Sequence, residues 1–192
     1  MHLHGQGTRR NEAKALECFQ QAAGQGDPGA LNELGSFHAQ GLAVPQDYAK
    51  AAAFYRQAAE QGHAGAQYNL GLLYEEGQGV QQDYGEAFTW YGKAAAQGDA
   101  AAQCSLGVLY AEGLGRTRNL EEARRWFRKA ADGGDKDAQA ALKLLDTGKA
   151  PADAKSAGKS GRESKKRTKN PSSKKEAGKK KGDGAARTPS AP

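Results

Sequence analysis

Apolar residues recur along the chain with the spacing of amphipathic helices. Ala66, Leu70, Leu73 and Tyr74 are spaced i, i+4, i+7 and i+8, which places them on one stripe of a helix. The next segment places six more apolar residues on one face of a second helix: Tyr84, Ala87, Phe88, Tyr91, Ala94 and Ala95. A loop with glycines at positions 77 and 79 lies between them. The pattern predicts a helix–loop–helix unit.

This unit recurs every 36 residues without a gap. Four leucines, three aromatic residues and three glycines fall on the period: Leu34, Leu70, Leu106 and Leu142; Phe54, Trp90 and Trp126; Gly35, Gly71 and Gly107. A fixed period of this length is typical of stacked helical repeats, in which the aromatic series forms core between helices. Glycine inside a helix costs about 1 kcal/mol relative to alanine. Its recurrence therefore predicts a close approach of the partner helix.

Polar caps and glycines predict where the helices begin and end. Asp27, Asp99 and Asp135 stand before first helices, and Asn11, Asp47, Asp83 and Asn119 stand before second helices. Glycines at positions 26, 62 and 98 end the second helices. These positions divide the chain into a partial repeat with only a second helix (1–29), three repeats (30–65, 66–101 and 102–137), a capping helix (138–148) and a tail (149–192).

The two ends of the array differ from its middle. Residues 5–29 match only the second half of a unit, which predicts that the N-terminus is truncated and leaves Leu16 and Phe19 without their usual cover. At the other end, Lys143 replaces the helix glycine and Asp146 replaces the aromatic residue. Polar substitution of a terminal unit is typical of a cap.

Charge separates the tail from the rest of the chain. Residues 149–192 contain 14 Lys and Arg against 4 Asp and Glu, whereas residues 1–148 contain 14 against 18. The tail has no Phe, Trp, Tyr, Ile or Val to offset its ordering entropy, so we predict disorder. Its dense basic clusters predict targeting or contact with nucleic acid or another polyanion, and a solvating tail without a partner is the alternative. The clustered residues are Lys165, Lys166, Arg167, Lys169, Lys174, Lys175, Lys179, Lys180 and Lys181.

The sequence offers no residues that carry catalysis or hold a cofactor. Cys18 and Cys104 lie more than two repeats apart, so we predict small buried or half-buried residues rather than a disulfide or a metal pair. His2, His4 and His38 lack the further ligands of a metal site. We predict no metal, no cofactor and no membrane span. The first residues contain no apolar signal segment, which predicts a cytoplasmic protein, or a nuclear one in a eukaryote.

From Ala66 to Gly98 the unit has the pattern A-x3-L-G-x2-Y-x2-G-x-G-V-x2-D-Y-x2-A-x2-W-Y-x-K-A-A-x-Q-G. It resembles the Sel-one-like repeat (SLR) family, a relative of the tetratricopeptide repeat, over residues 5–146. The resemblance implies an all-α, right-handed α-solenoid whose first helices line a concave face, and an adaptor or scaffold role. Some secreted bacterial members are described as β-lactamase-like, but they carry a cysteine pair in each repeat, which this chain lacks.

The concave face that the resemblance implies is the candidate binding site. Alignment with tetratricopeptide geometry assigns to it Asn32, Ser36, Tyr68, Leu72, Glu75, Cys104 and Val108. These positions vary between units while the packing positions do not, and their mixed character suits a peptide in a groove. The alternative is that they are tolerated surface residues. The predicted function is a non-enzymatic adaptor, followed by a nucleic-acid-associated protein whose tail dominates, and then by a β-lactamase-like hydrolase.

Overall fold

The computed structural model describes residues 4–147, with side chains from Asn11 onward, and contains eight helices in this range. They are α1 (His4–Gly24), α2 (Pro28–Gln40), α3 (Tyr48–Glu60), α4 (Ala64–Glu76), α5 (Tyr84–Ala96), α6 (Ala100–Glu112), α7 (Leu120–Asp132) and α8 (Lys136–Asp146). Each helix packs mainly against its neighbours in the chain. The predicted all-α solenoid of eight helices is confirmed.

Capping side chains begin the helices as the sequence predicts. Asp27 accepts a hydrogen bond from the backbone N–H of Ala30 at 2.7 Å, and Asp99 accepts the equivalent bond in α6 at 2.8 Å. Helix α4 differs, because its cap is His63, whose Nδ1 accepts from the backbone N–H of Ala66 at 3.1 Å. This cap was not among the predicted ones, since histidine is not a usual capping residue.

Glycine in each first helix makes room for an aromatic ring of the following helix. A Cβ atom added to Gly71 would lie 2.6 Å from the ring of Tyr91, and one added to Gly107 would lie 2.6 Å from the ring of Phe127. Gly35 has the same relation to Tyr55. The predicted close approach of the partner helix is confirmed, and its cause is this ring.

The loops between the helices of a repeat also pack closely against the preceding repeat. Gly79 has φ +69°, and a Cβ atom there would overlap the backbone of Tyr48 at the start of α3 in the preceding repeat. Gly115 stands in the same relation to Tyr84. At the equivalent place in the first loop, Ala43 takes φ +56°, a left-handed conformation that disfavours a side chain.

The aromatic series packs into the core, which confirms its interpretation. Trp90 is buried among residues of α3 and α4, and Trp126 packs on the cluster formed by α5 and α6. Their outer faces are covered by cations, with Lys93 Nζ 3.7 Å from the Trp90 ring centroid and Lys129 Nζ 4.3 Å from that of Trp126. These rings are therefore structural.

Two predictions for the N-terminal unit are wrong. Asn11 does not cap a helix, because α1 already begins at His4. In the complete repeats the capping residue donates its backbone N–H to the preceding helix, as Asp83 does to the carbonyl of Tyr74 at 3.0 Å, and no helix precedes α1 in the described range. Cys18 is exposed rather than buried or half-buried. It occupies the position of Trp90, which packs on the preceding repeat, and no helix of the described range precedes α1 to cover Cys18 in the same way.

Helix α8 closes the other end of the described array. Ala138 and Ala141 are buried, and α8 contacts both α7 and α6. Arg124 of α7 forms an ion pair with Asp146 at 3.4 Å. The tail, with its predicted disorder and its basic clusters, lies outside the described residues, as does His2.

Candidate functional site

The candidate residues all belong to helices α2, α4 and α6, which we call the first-helix row; α3, α5 and α7 form the second-helix row. Asn32 is buried, with 9% of its surface exposed. The other six are half-buried: Ser36, Tyr68, Leu72, Glu75, Cys104 and Val108. Half-buried side chains on regular helices combine a fixed position with an accessible surface, which suits contact with a partner.

A pair of asparagines links the first two helices of the row. Asn69 Nδ2 donates to Asn32 Oδ1 at 3.0 Å, and Asn32 Nδ2 donates to Glu33 Oε1 at 3.2 Å. Asn32 therefore holds α2 against α4. Asn69 was not among the predicted residues, although it differs from its equivalents Glu33 and Ser105, which is the same variation that singled out the others.

Two tyrosines of the second-helix row form hydrogen bonds with candidate residues through their hydroxyl groups. The Tyr91 hydroxyl donates to Glu75 Oε2 at 2.7 Å, and the Tyr55 hydroxyl lies 3.2 Å from Ser36 Oγ. Burial raises the pKa of both phenols, and the Glu75 carboxylate raises that of Tyr91 further. Both hydroxyls thus keep their protons, and Tyr91 fixes the position of the Glu75 carboxylate.

A groove of about 430 Å³ opens where α2, α3 and α4 meet. Leu42, Tyr48 and Leu72 give it apolar walls, while Asn69 and Glu76 contribute polar groups. Of the seven predicted residues, Leu72 lines this groove. The groove is open to solvent and combines apolar walls with polar groups.

The remaining predicted residues do not gather in this groove. Tyr68 lies against Tyr91, with 5.6 Å between the ring centroids, and Cys104 and Val108 pack beside the cluster of α6, α7 and α8. The structure thus distributes the candidates along the row, one group for each repeat. An extended surface of this kind suits a ligand that spans several repeats better than a compact small molecule.

The charges are segregated between the two rows. The first-helix row carries four glutamates and no Lys or Arg: Glu33, Glu75, Glu76 and Glu112. The second-helix row carries seven Lys and Arg against five Asp and Glu. The total charge of residues 1–148 does not reveal this difference, because the sum combines both rows. The first-helix row is the acidic side of the described array.

The Nδ1 atom of His38 is buried and has no hydrogen-bond partner. Among the described residues, no other buried side-chain nitrogen or oxygen lacks one. The ring stacks on Phe54 with 5.5 Å between centroids. Burial, helped by the charge of Lys50, lowers the pKa of His38, so the neutral form is favoured. Within residues 4–147 no group of three or more His, Cys, Asp or Glu side chains is arranged to hold a metal ion.

Comparison with known families decides the identity of the repeats. The family model described as Sel1 repeat matches four consecutive segments, 1–27, 28–63, 64–99 and 100–135. The chain belongs to the Sel1 repeat family. The resemblance found in the sequence is thereby confirmed. Sel1 repeat proteins are generally scaffolds for protein interaction and typically not enzymes.

Solved structures of Sel1 repeat proteins have the same fold. A Sel1 repeat protein from Oxalobacter formigenes is 44% identical with a TM-score of 0.61, over 63% of this chain and 48% of its own. The protective antigen c5321 of uropathogenic Escherichia coli, which displays an SLR fold, is 45% identical with a TM-score of 0.62, over 64% of this chain and 26% of its own. This chain therefore spans less than half the length of either relative.

A more distant structure shares the fold alone. Helicobacter pylori cysteine rich protein B is 23% identical with a TM-score of 0.55, over 69% of this chain and 95% of its own. A comparison with curated proteins finds no match. None of the helices in residues 4–147 has the length and apolar character needed to cross a membrane.

Proposed function

We propose that this Sel1 repeat protein is a non-enzymatic adaptor that binds a protein or peptide along its first-helix row. The observation that carries the proposal is the groove of about 430 Å³ between α2, α3 and α4. It is lined by a side chain from each of two adjacent repeats, Leu42 and Leu72, and by the amide of Asn69. A peptide lying across the row would insert one side chain there and contact the variable residues of neighbouring repeats.

Further support comes from how the row is built. The Asn69–Asn32 hydrogen bond and the Tyr91–Glu75 hydrogen bond hold polar groups of the row in place before any ligand arrives. A surface that is already ordered loses less entropy on binding, so it binds more tightly for the same contacts. Such a row requires no catalytic group, in keeping with an adaptor.

The test is a selection of random displayed peptides on the full-length chain. The affinity of the selected peptides is then measured for the native chain and for the variant Leu72→Glu, which places a charge in the apolar wall of the groove. We expect their affinity to fall by at least about tenfold, because burial of an unpaired carboxylate opposes binding. The matched control is Gln57→Glu, which adds the same charge at an exposed position of the second-helix row.

Peptides that bind Leu72→Glu as tightly as the native chain would contradict the proposal. Circular dichroism of both variants shows whether they stay folded, so that loss of binding is not confused with loss of structure. Absence of nitrocefin hydrolysis by the purified chain supports the non-enzymatic assignment, and turnover that survives further purification would favour the β-lactamase-like alternative.

The basic tail supplies a second component of the proposed function, which is attachment to an anionic surface or to nucleic acid. The lysine clusters at 165–169, 174–175 and 179–181 carry the attraction, and it needs no base-specific contact. Binding of an unrelated DNA duplex to the full chain should therefore weaken steeply with salt. Replacement of Lys179, Lys180 and Lys181 by Gln should reduce the salt slope by about three, and an unchanged slope would exclude their contact with phosphates.

A further inference from the structure

We propose that the lysine clusters of the tail bind to the first-helix row of their own chain and cover the groove until another ligand displaces them. The proposal rests on the peptide-binding role given to this row above. The occupant is the segment 165–181, whose charge and position in the chain both favour this surface. The adaptor would thus carry a competitor for its own binding site.

Charge complementarity selects the first-helix row as the docking surface. Its helices carry glutamates at 33, 75, 76 and 112 and no Lys or Arg, whereas the second-helix row carries seven Lys and Arg against five Asp and Glu. One cation lies beside the surface, because Arg118 donates to the carbonyl of Ala111 next to Glu112. Glu76 and Glu112 are exposed and stand at equivalent positions at the ends of α4 and α6. The segment 165–181 has nine Lys and Arg against one Glu, so it is attracted to the first-helix row and repelled by the cations of the second-helix row.

The end of α8 brings the tail to the same edge of the row. Helix α8 has the same place in its repeat as α6 has in the one before, and the two helices are in contact. Thr147, the residue after α8, is equivalent to Glu75 of α4 and Ala111 of α6. The chain therefore leaves the described array beside the helix ends that carry Glu76 and Glu112. From Thr147 to Lys165 there are 18 residues, which can span up to about 60 Å when extended. Helix α4, which lines the groove, is four helices before α8, and packed helix axes lie about 8–10 Å apart. The extended span therefore exceeds the distance that the lysines must cover to reach the groove.

The groove itself is suited to a lysine side chain. Leu42, Leu72 and the ring of Tyr48 offer apolar surface to the four methylene groups of the stem, and Glu76 lies in the same lining to pair with the ammonium group. Asn69 adds an amide oxygen as a second acceptor. Because the segment belongs to the same chain, several weak contacts of this kind act at a high effective concentration at the row, and each of them remains exchangeable.

The first experiment is carbodiimide cross-linking of the full-length chain at low protein concentration, read by mass spectrometry. The reagent joins a carboxylate to an amine only when the two are in contact. We expect links from tail lysines to Glu76 and Glu112 in the monomer band, several times more frequent than links to Glu60 and Glu121. Those two glutamates are the matched controls, since both are exposed on the second-helix row. Raising the salt to about 1 M, where the Debye length is about 3 Å, should abolish the excess.

A variant experiment measures the same contact without a reagent. Docking should protect the tail from trypsin, and Glu76→Gln with Glu112→Gln should raise the rate of cleavage after Lys166 about fivefold, which corresponds to two weak ion pairs. The paired control, Glu60→Gln with Glu121→Gln, makes the same change in charge and should leave the rate unchanged.

Three results would overturn the proposal: equal labelling of both rows, links confined to dimers, or equal cleavage rates in the two paired variants. None of them requires an external partner. If the cross-linking and cleavage experiments fail, the peptide selection still tests the adaptor proposal. If the peptide selection fails while the cross-links form, the tail docks on a row that does not bind other peptides.

Discussion

Each helix of the first-helix row packs one side against the ring of the following helix and bears the candidate binding residues on another. On the packing side, Gly35, Gly71 and Gly107 receive a ring in the same way in every repeat. The candidate positions change instead, as Asn32, Tyr68 and Cys104 illustrate. Stacking imposes one geometry and so admits one residue type, whereas the other surface is free to differ from repeat to repeat. Substitutions on the two sides should therefore have different consequences.

The largest effect is expected where one repeat touches the backbone of another. Gly79→Ala adds a methyl group at φ +69° and directs it into the backbone at Tyr48, which cannot move aside as a side chain can. The left-handed conformation and the overlap together should cost about 3 kcal/mol of unfolding free energy. Urea unfolding followed by circular dichroism measures the loss.

The converse substitution is the control for this loop. Ala43 already occupies the equivalent position with φ +56°, so Ala43→Gly should relieve strain and leave the protein unchanged or more stable by about 0.5 kcal/mol. A loss as large as that of Gly79→Ala would contradict the conformational strain assigned to Ala43.

The next largest effect concerns the packing glycine itself. Gly71→Ala should cost about 2 kcal/mol despite the better helix propensity of alanine, because the new methyl group would lie 2.6 Å from the Tyr91 ring. Gly92→Ala in α5 is the matched substitution, since nothing lies within 4 Å of its added Cβ atom. It should stabilise by up to about 1 kcal/mol. Thermal unfolding of the pair should give shifts of opposite sign, and shifts of the same sign would contradict the packing argument.

The 36-residue period was sufficient to predict the helix pairs, because packing positions such as Leu70 and Gly71 recur only if neighbouring units stack alike. It could not predict features that depend on the neighbour. The close approach of Gly79 to Tyr48 joins two repeats that are separate in sequence, and the Asn69–Asn32 bond crosses between units. The exposure of Cys18 depends on whether a repeat packs in front of α1, and the period alone does not contain this information.

A smaller loss of unfolding free energy is expected where the buried tyrosines of the second helices bond the candidate residues. Tyr91→Phe keeps the ring against Gly71 but removes the 2.7 Å hydrogen bond to Glu75, and it should cost about 1 kcal/mol. Phenylalanine is already present at the equivalent position 127, so the fold should be kept. Tyr55→Phe, with a longer 3.2 Å contact to Ser36, should cost less. Equal losses in urea unfolding would show that the hydroxyl bonds do not differ in strength.

The smallest effect is a dependence of stability on pH through His38. Burial lowers the pKa of His38 in the folded chain, so its contribution is complete above the unfolded value of about 6.5 and is lost as the pH falls below it. His38→Tyr, which copies Tyr74 and Tyr110, should remove this part of the pH dependence. Urea midpoints measured between about pH 8 and pH 5 should decline less in the variant than in the native chain. Parallel curves would indicate that His38 titrates alike in both states.

The neighbour-only packing of the helices also governs how the chain acquires its structure. Because α1 to α8 contact mainly the next helix along the chain, nearly all native contacts close short loops. Low contact order favours rapid folding, and in a linear array folding can start in any unit and spread outward. Among the eight described helices, α1 and α8 have a neighbour on one side only, so their amide hydrogens should exchange first and those of α4 and α5 last. The repeat that contributes Leu72 to the groove would then be the last to open.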